Sequence, residues 1–157
     1  MCEDASIFAS NAIWWVGEKG RPWIYFIDSA PKATPYDIGS KCPGGMADPG
    51  ETKTEAARRE TFEETGLVIK RRIRLVQVYD DQSNGSHHKF GFITPRSGCR
   101  GRIRQTPFED RRSIIYRIYP IALDDAIDTV YQVKTKYHLK FLKGVRNHLH
   151  RKLGLPV

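Results

Sequence analysis

Apolar side chains crowd residues 7–16, Ile-Phe-Ala-Ser-Asn-Ala-Ile-Trp-Trp-Val, and their β-branched and aromatic character predicts a strand. A turn at Gly17–Gly20 separates it from a second strand at Trp23–Ile27, so the two predict a hairpin. Ala30–Pro35 carries two prolines and reads as a loop. Tyr36–Cys42 reads as a short strand that runs into Pro43-Gly44-Gly45, a triplet expected to end regular pairing and to use unusual backbone angles. The pattern then turns helical. Thr52, with Glu55 three residues on, forms a capping box; the helix is expected to reach about Thr65, with Gly66 as a left-handed cap. Ala56, Ala57, Thr61 and Phe62 form the side of this helix expected to pack on a sheet.

Leu67–Tyr79 reads as extended, interrupted at Lys70-Arg71-Arg72, and Asp80–Ser86 has turn chemistry. His87–Thr94 alternates as a strand, with Phe90, Phe92 and Ile93 as core candidates. Pro95–Pro107 is a basic loop, expected to be mobile or to contact ligand, and Ser113–Tyr119 is a further strand. Ala122–Tyr131 and Lys134–Lys152 read as helices, the second with Tyr137, Phe141, Val145 and Leu149 on one stripe. Strands on both sides of a central helix predict an α/β fold: a mixed sheet with helices on its two faces.

At 157 residues the chain is expected to be a single domain, 1–157. Its net charge of +8 suits an anionic partner such as a nucleotide, another polyphosphate or nucleic acid, although a basic surface is often only a soluble one. The three cysteines, Cys2, Cys42 and Cys99, are far apart and have no metal-type spacing; reduced thiols in a cytoplasmic protein are expected. No apolar run is long enough to span a membrane, and the acidic start, Met-Cys-Glu-Asp, does not resemble a signal peptide.

The central helix carries the candidate chemistry. Glu60, Glu63 and Glu64 stand three and four residues apart and so share one face, where like charges repel unless a cation compensates them. Carboxylate oxygens are hard ligands, which points to Mg²⁺ or Mn²⁺ rather than zinc.

The register around these glutamates resembles the Nudix box, Gly-x5-Glu-x7-Arg-Glu-U-x-Glu-Glu-x-Gly-U, with U a bulky apolar residue. Gly45, Glu51, Arg59, Glu60, Glu63, Glu64, Gly66 and Leu67 fill its positions; Thr61 departs from an apolar U, where its methyl can still pack. The resemblance implies an α/β/α sandwich and a metal-dependent, MutT-like hydrolase that cleaves a nucleoside diphosphate linked to another moiety, or a similar small-molecule polyphosphate. It implies Glu60, Glu63 and Glu64 as metal ligands, Glu60 alternatively as the group that polarises or deprotonates water, and the carbonyl of Gly44 or Gly45 as a further ligand. Arg59 would orient Glu60 or the box loop, with Glu51 as its partner. A further acid from beyond the box is expected as ligand or base: Glu109 or Asp110, with Asp80 and Asp81 as other candidates.

Substrate contacts are expected from His87, Lys89, Arg96, Arg102 and Arg104, against the plain reading of a solvated basic loop. Trp14, Trp15 and Trp23 are expected in the core, or stacked on a base. The short box-to-strand spacing and the arginine-rich segment 96–112 resemble family members acting on highly charged compounds, which implies dinucleoside polyphosphates or inositol pyrophosphates, with nucleoside triphosphates also open. Two rival readings are a non-catalytic nucleotide- or RNA-binding regulatory module on the same fold and an RNA-directed hydrolase. The aromatic amino-terminal hairpin is a candidate homodimer surface.

Overall fold

In the computed structural model, which describes residues 6–82, 87–133 and 136–157, the sheet is built outward from its first strand. β1 (Ser6–Val16) turns at Gly17–Gly20 into β2 (Pro22–Pro31), with Trp14 opposite Ile24 and Trp15 opposite Trp23, so the expected hairpin forms. β3 (Gly39–Lys41) pairs on β2, and β4 (Gly44–Met46) pairs antiparallel on β1. After α1 (Lys53–Thr65) come β5 (Val68–Ile69), β6 (Val76–Asp81) and β7 (His87–Pro95). β8 (Cys99–Arg100), β9 (Phe108–Glu109) and β10 (Ser113–Ala122) follow, then α2 (Leu123–Val133) and α3 (Lys136–Leu153). The main sheet runs β6-β7-β1-β2-β10-β9, and β5 with β8 makes a separate ladder. β7 lies parallel to β1 from His87 beside Ser6 to Pro95 beside Trp14, whereas β2 lies antiparallel, so the sheet is mixed as expected.

Alternation along β1 divides the core. Ala9 and Ile13 join Ala56, Ala57, Leu67 and Phe92 on the α1 side; Ala12 and Trp14 join Phe26, Leu123, Phe141 and Val145 on the α2 and α3 side. The result is the α/β/α sandwich. A buried polar chain fixes α1 on β1. Thr94 Oγ1 donates to Asn11 Oδ1 (2.9 Å), Asn11 Nδ2 donates to Thr61 Oγ1 (3.1 Å), and Thr61 Oγ1 donates to the Ala57 carbonyl (2.7 Å). Each buried polar atom on this path is satisfied, which such burial requires. Thr61 thus contributes its hydroxyl as well as its methyl.

Both ends of α1 match the sequence signals. Thr52 and Glu55 exchange side-chain to backbone bonds in a capping box, and Gly66 caps the other end at φ 84°.

Four details differ. Gly44 and Gly45 do not end pairing; they form β4, with neither in the positive-φ region. Phe62 is 47% exposed rather than packed on the sheet, because it lies one position outside the Ala57–Thr61 stripe and sits beneath the Arg104 guanidinium. The segment after Pro95 has local order: a helical turn at Arg96–Gly98, then β8 paired to β5. β6 runs through Asp80 and Asp81, held by the pairing of Asp81 with Lys89 in β7. Residues 83–86 of the turn expected there, together with Cys2, Lys134 and the side chain of Tyr137, lie outside the described residues. Among the described residues, no helix is long and apolar enough to cross a membrane.

Candidate active site

A cavity of about 180 Å³ opens where α1, β4 and the turn before β10 meet. β4 can lie this close to its neighbours only because it is built of glycine. A Cβ on Gly44 would come within 2.7 Å of the Ala9 carbonyl oxygen, and one on Gly45 within 2.5 Å of Glu60 Oε1. The glycine pair therefore answers a need for space and not for an unusual φ.

Arg59 ties the acidic face together. Its Nε and Nη2 donate to the two oxygens of Glu51, each at 2.9 Å, a bidentate fork. Its Nη1 donates at 3.0 Å to both Glu60 Oε1 and Glu63 Oε2, and its Nη2 also donates to the Met46 carbonyl at 3.0 Å. One guanidinium thus links the box loop to two carboxylates one helical turn apart. The fork holds the Glu51 carboxyl below the usual range. The surrounding carboxylates, Glu51 first, push the Arg59 guanidinium up, so it stays charged.

Glu60, Glu63 and Asp110 place one carboxylate oxygen each within 4.8 Å of one another. Asp110 is held by its own turn: Oδ1 accepts the backbone N–H groups of Arg112 (2.9 Å) and Ser113 (2.7 Å). Three hard oxygen donors at this spacing fit Mg²⁺ or Mn²⁺. Of the two acids expected beyond the box, Glu109 points elsewhere: it is 65% exposed and pairs with Lys32 at 3.7 Å. Asp80 Oδ1 accepts from His88 Nε2 across 2.6 Å, and Asp81 accepts from the Tyr79 hydroxyl; both acids lie on β6 and do not line the cavity.

Glu64 stands in the same cavity but outside this group. It is 2% exposed; Oε1 accepts the Gly44 N–H at 2.6 Å, and Oε2 pairs with Lys41 Nζ at 3.4 Å. Burial pushes the Glu64 carboxyl up to about 7, against the pull of Lys41. Burial also raises the Glu60 carboxyl, opposed by Arg59 and Lys41. Lys41 Nζ donates to the Gly44 carbonyl at 2.7 Å.

The basic residues lining the cavity are Lys41, Arg111 and Arg112. Arg111 Nη2 lies 3.2 Å from Asp48 Oδ2 and 3.7 Å from Glu63 Oε1. None of the five basic residues chosen from sequence lines the cavity. Arg102 and Arg104 flank Gly66 at the C-terminal end of α1, where Arg104 donates to the Phe62 carbonyl. Arg96 donates within its own turn to Cys99, and His87 and Lys89 lie on β7. Lys41 sits two residues before the Pro43-Gly44 turn, and Arg111 directly after Asp110, inside the arginine-rich segment. Nothing in local spacing separates them from the other basic residues; only the pairing of β3 on β2 and the turn into β10 bring them to the cavity. Trp14 is buried beneath α2 and α3, as expected of a core tryptophan.

The NUDIX domain profile matches residues 9–121. A search of curated proteins found no match. Among solved structures, a NUDIX hydrolase from Nitrosomonas europaea superposes with a TM-score of 0.65 at 18% identity, covering 92% of this chain and 90% of that one. An Ap4A hydrolase from C. elegans gives 0.62 at 16% identity, covering 92% and 98%. A MutT NUDIX hydrolase from Burkholderia pseudomallei gives 0.50 at 26% identity, covering 78% and 86%. With every glycine and charged position of the box filled and the profile spanning most of the chain, this protein belongs to the Nudix family and is a hydrolase of phosphoric anhydride bonds.

Proposed function

We propose that this chain is a divalent-metal-dependent pyrophosphohydrolase of a nucleoside diphosphate-X or similar polyphosphate, with Mg²⁺, or Mn²⁺ in its place, held by Glu60, Glu63 and Asp110. The observation that carries this reading is the convergence of those three carboxylates in one cavity. When bound, the ion would neutralise phosphate charge and lower the pKa of water.

The chain's own groups divide the remaining work. Arg59 fixes the rotamers of Glu60 and Glu63 by donating to one oxygen of each. Glu60, whose second role at the cavity would be to accept the proton of the attacking water, has its carboxyl raised above the ordinary range, first by burial. The water oxygen forms a bond to phosphorus, the bridging P–O bond breaks, and the leaving phosphate departs as an anion. Arg111 and Arg112 face that anion from the turn before β10. Arg111 is paired with Asp48 and Glu63, so substrate phosphate would compete for its guanidinium.

The cationic rim suits a substrate with several phosphates. The fold shared with the C. elegans Ap4A hydrolase supports placing a dinucleoside polyphosphate first in a panel that also holds inositol pyrophosphates, nucleoside triphosphates and triphosphorylated RNA. Product analysis across that panel tests the reading. Mg²⁺-dependent cleavage at an anhydride bond is expected, and Glu63→Gln is expected to reduce kcat/KM by about 100-fold or more while circular dichroism is unchanged. Near wild-type turnover by that variant would refute the mechanism. No turnover of any compound would favour a binding module.

A further inference from the structure

The β5–β8 ladder, beyond the end of α1, carries charge that the catalytic cavity does not use. Residues 66–75 and 95–104 hold eight of the chain's 26 lysines and arginines and no Asp or Glu. The ladder brings these two stretches together, with Val68 opposite Arg100, and the Lys70 N–H donates to the Gly98 carbonyl at 2.8 Å. Arg58 fixes the turn that follows β5: its Nη1 donates to the Ile69 and Lys70 carbonyls at 3.4 Å each, and its Nη2 to the Ile73 carbonyl. Arg71, Arg72, Arg74, Arg100 and Arg102 are exposed on this frame. Among the described residues, none of the five pairs with an acid, and none lines the catalytic cavity. An aromatic ring stands beside them. Phe62 is 47% exposed, and the Arg104 guanidinium lies 5.4 Å from its ring centroid and 4.8 Å from that of Phe108.

We propose that this ladder is a docking surface for single-stranded nucleic acid, a partner separate from the small polyphosphate assigned to the cavity. Like charges gathered without acids repel one another, and a polyanion laid across them relieves that repulsion. Three features favour a nucleic-acid strand. The exposed guanidiniums are spread over two strands and a turn, which suits a row of phosphates more than a single one. Seven of the eight cations are arginine, whose planar fork takes phosphate oxygens in pairs and also stacks on bases. The exposed ring of Phe62 offers a stacking face to an unpaired base, which a paired base inside a duplex could not use.

The test is fluorescence anisotropy of labelled oligouridine and oligothymidine of about 20 nucleotides, in EDTA, which reads binding without metal or turnover. The logarithm of affinity is expected to fall with the logarithm of KCl concentration at a slope of about −3.5, the value for five phosphate contacts on a single strand. The ratio of the two affinities distinguishes RNA from DNA as the strand taken. Arg71→Gln, Arg72→Gln and Arg100→Gln combined are expected to bring the slope to about −1.4. Phe62→Ala is expected to weaken binding by about tenfold at an unchanged slope. Lys140→Gln with Lys143→Gln, two exposed cations of α3, should change neither. No binding at about 50 mM KCl would overturn the proposal. A wild-type slope in the triple variant would overturn it as well, as would a loss of binding that follows the α3 pair or Arg111→Gln in the cavity. Phosphatidylserine vesicles that depend on the three arginines, when the oligonucleotides do not, would assign the surface to a membrane instead. Should the triple variant not fold by circular dichroism, Arg100→Gln alone decides, with an expected change in slope of about 0.7.

Discussion

Arg59 and Thr61 show how single side chains hold the site. Arg59 donates to Glu51, Glu60 and Glu63 at once, so its loss would release three acids. Thr61 occupies a position where the box asks for an apolar residue, and a conservative reading would treat valine as equivalent. The buried chain from Thr94 through Asn11 to Thr61 says otherwise. Thr61→Val would keep the shape and strand Asn11 Nδ2 without an acceptor. Chemical denaturation is expected to show a loss of about 1–3 kcal/mol, the cost of an unsatisfied buried donor. A neutral effect would mean that Asn11 finds another partner.

At the scale of elements, α1 and β4 are joined by contact so close that either can disturb the other. Gly45 has no room for a Cβ because Glu60 Oε1 is there. Gly45→Ala is expected to fold and to push Glu60 off its place, weakening Mn²⁺ binding by about tenfold; unchanged affinity would contradict that packing. At the start of α1, Thr52→Ala removes the capping box and is expected to cost about 1 kcal/mol in thermal or denaturant unfolding, with Glu60 and Glu63 unmoved.

These elements also show what sequence could and could not reveal. α1 was readable to both its caps because its signals are local: a box at Thr52 and Glu55, a glycine at 66, glutamates at helical spacing. β4 was not, because Gly44 and Gly45 carry no side chain from which a strand could be read; their pairing with Ser10 and Ala9 depends on distant chain. The same limit applies to cations. Arg102 and Arg104 look no different from Arg111 in a basic segment, yet they lie at the far end of α1, where Arg104 donates to the Phe62 carbonyl, while Arg111 reaches the carboxylates. Asp110 and Glu109 were equal candidates from spacing. The antiparallel pairing of Glu109 with Ile114, and the turn in which Asp110 accepts from Arg112 and Ser113, separate them.

For the whole molecule, the two layers of helix have different electrostatic demands. The α1 layer gathers acids at the cavity. On the other side, His138 of α3 is held down to about 4, first by burial and then by the positive charges of Lys41 and Lys89. An unfolded chain binds a proton here near pH 6.5, and the folded one does not until about pH 4. The unfolded state therefore binds more protons between those values, and the histidine's contribution to stability is present above that window and lost as pH falls through it. Glu60 and Glu64, with raised values, work in the opposite sense, so the comparison must be between variants. Thermal unfolding of His138→Leu from pH 7.5 to 4.5 is expected to show a shallower fall than wild type; parallel curves would contradict the burial of a neutral imidazole.

Asp110, an acid from outside the box, would complete a metal site with Glu60 and Glu63 at which an anhydride bond is cleaved. The most direct measurement is Mg²⁺-dependent hydrolysis of a dinucleoside polyphosphate, or of whichever panel compound turns over, by Asp110→Asn and Glu109→Gln side by side. Asp110→Asn is expected to lower kcat/KM by about 100-fold with the fold intact, and Glu109→Gln to stay within about twofold of wild type. Full activity in Asp110→Asn, or a loss confined to Glu109→Gln, would contradict the site described here.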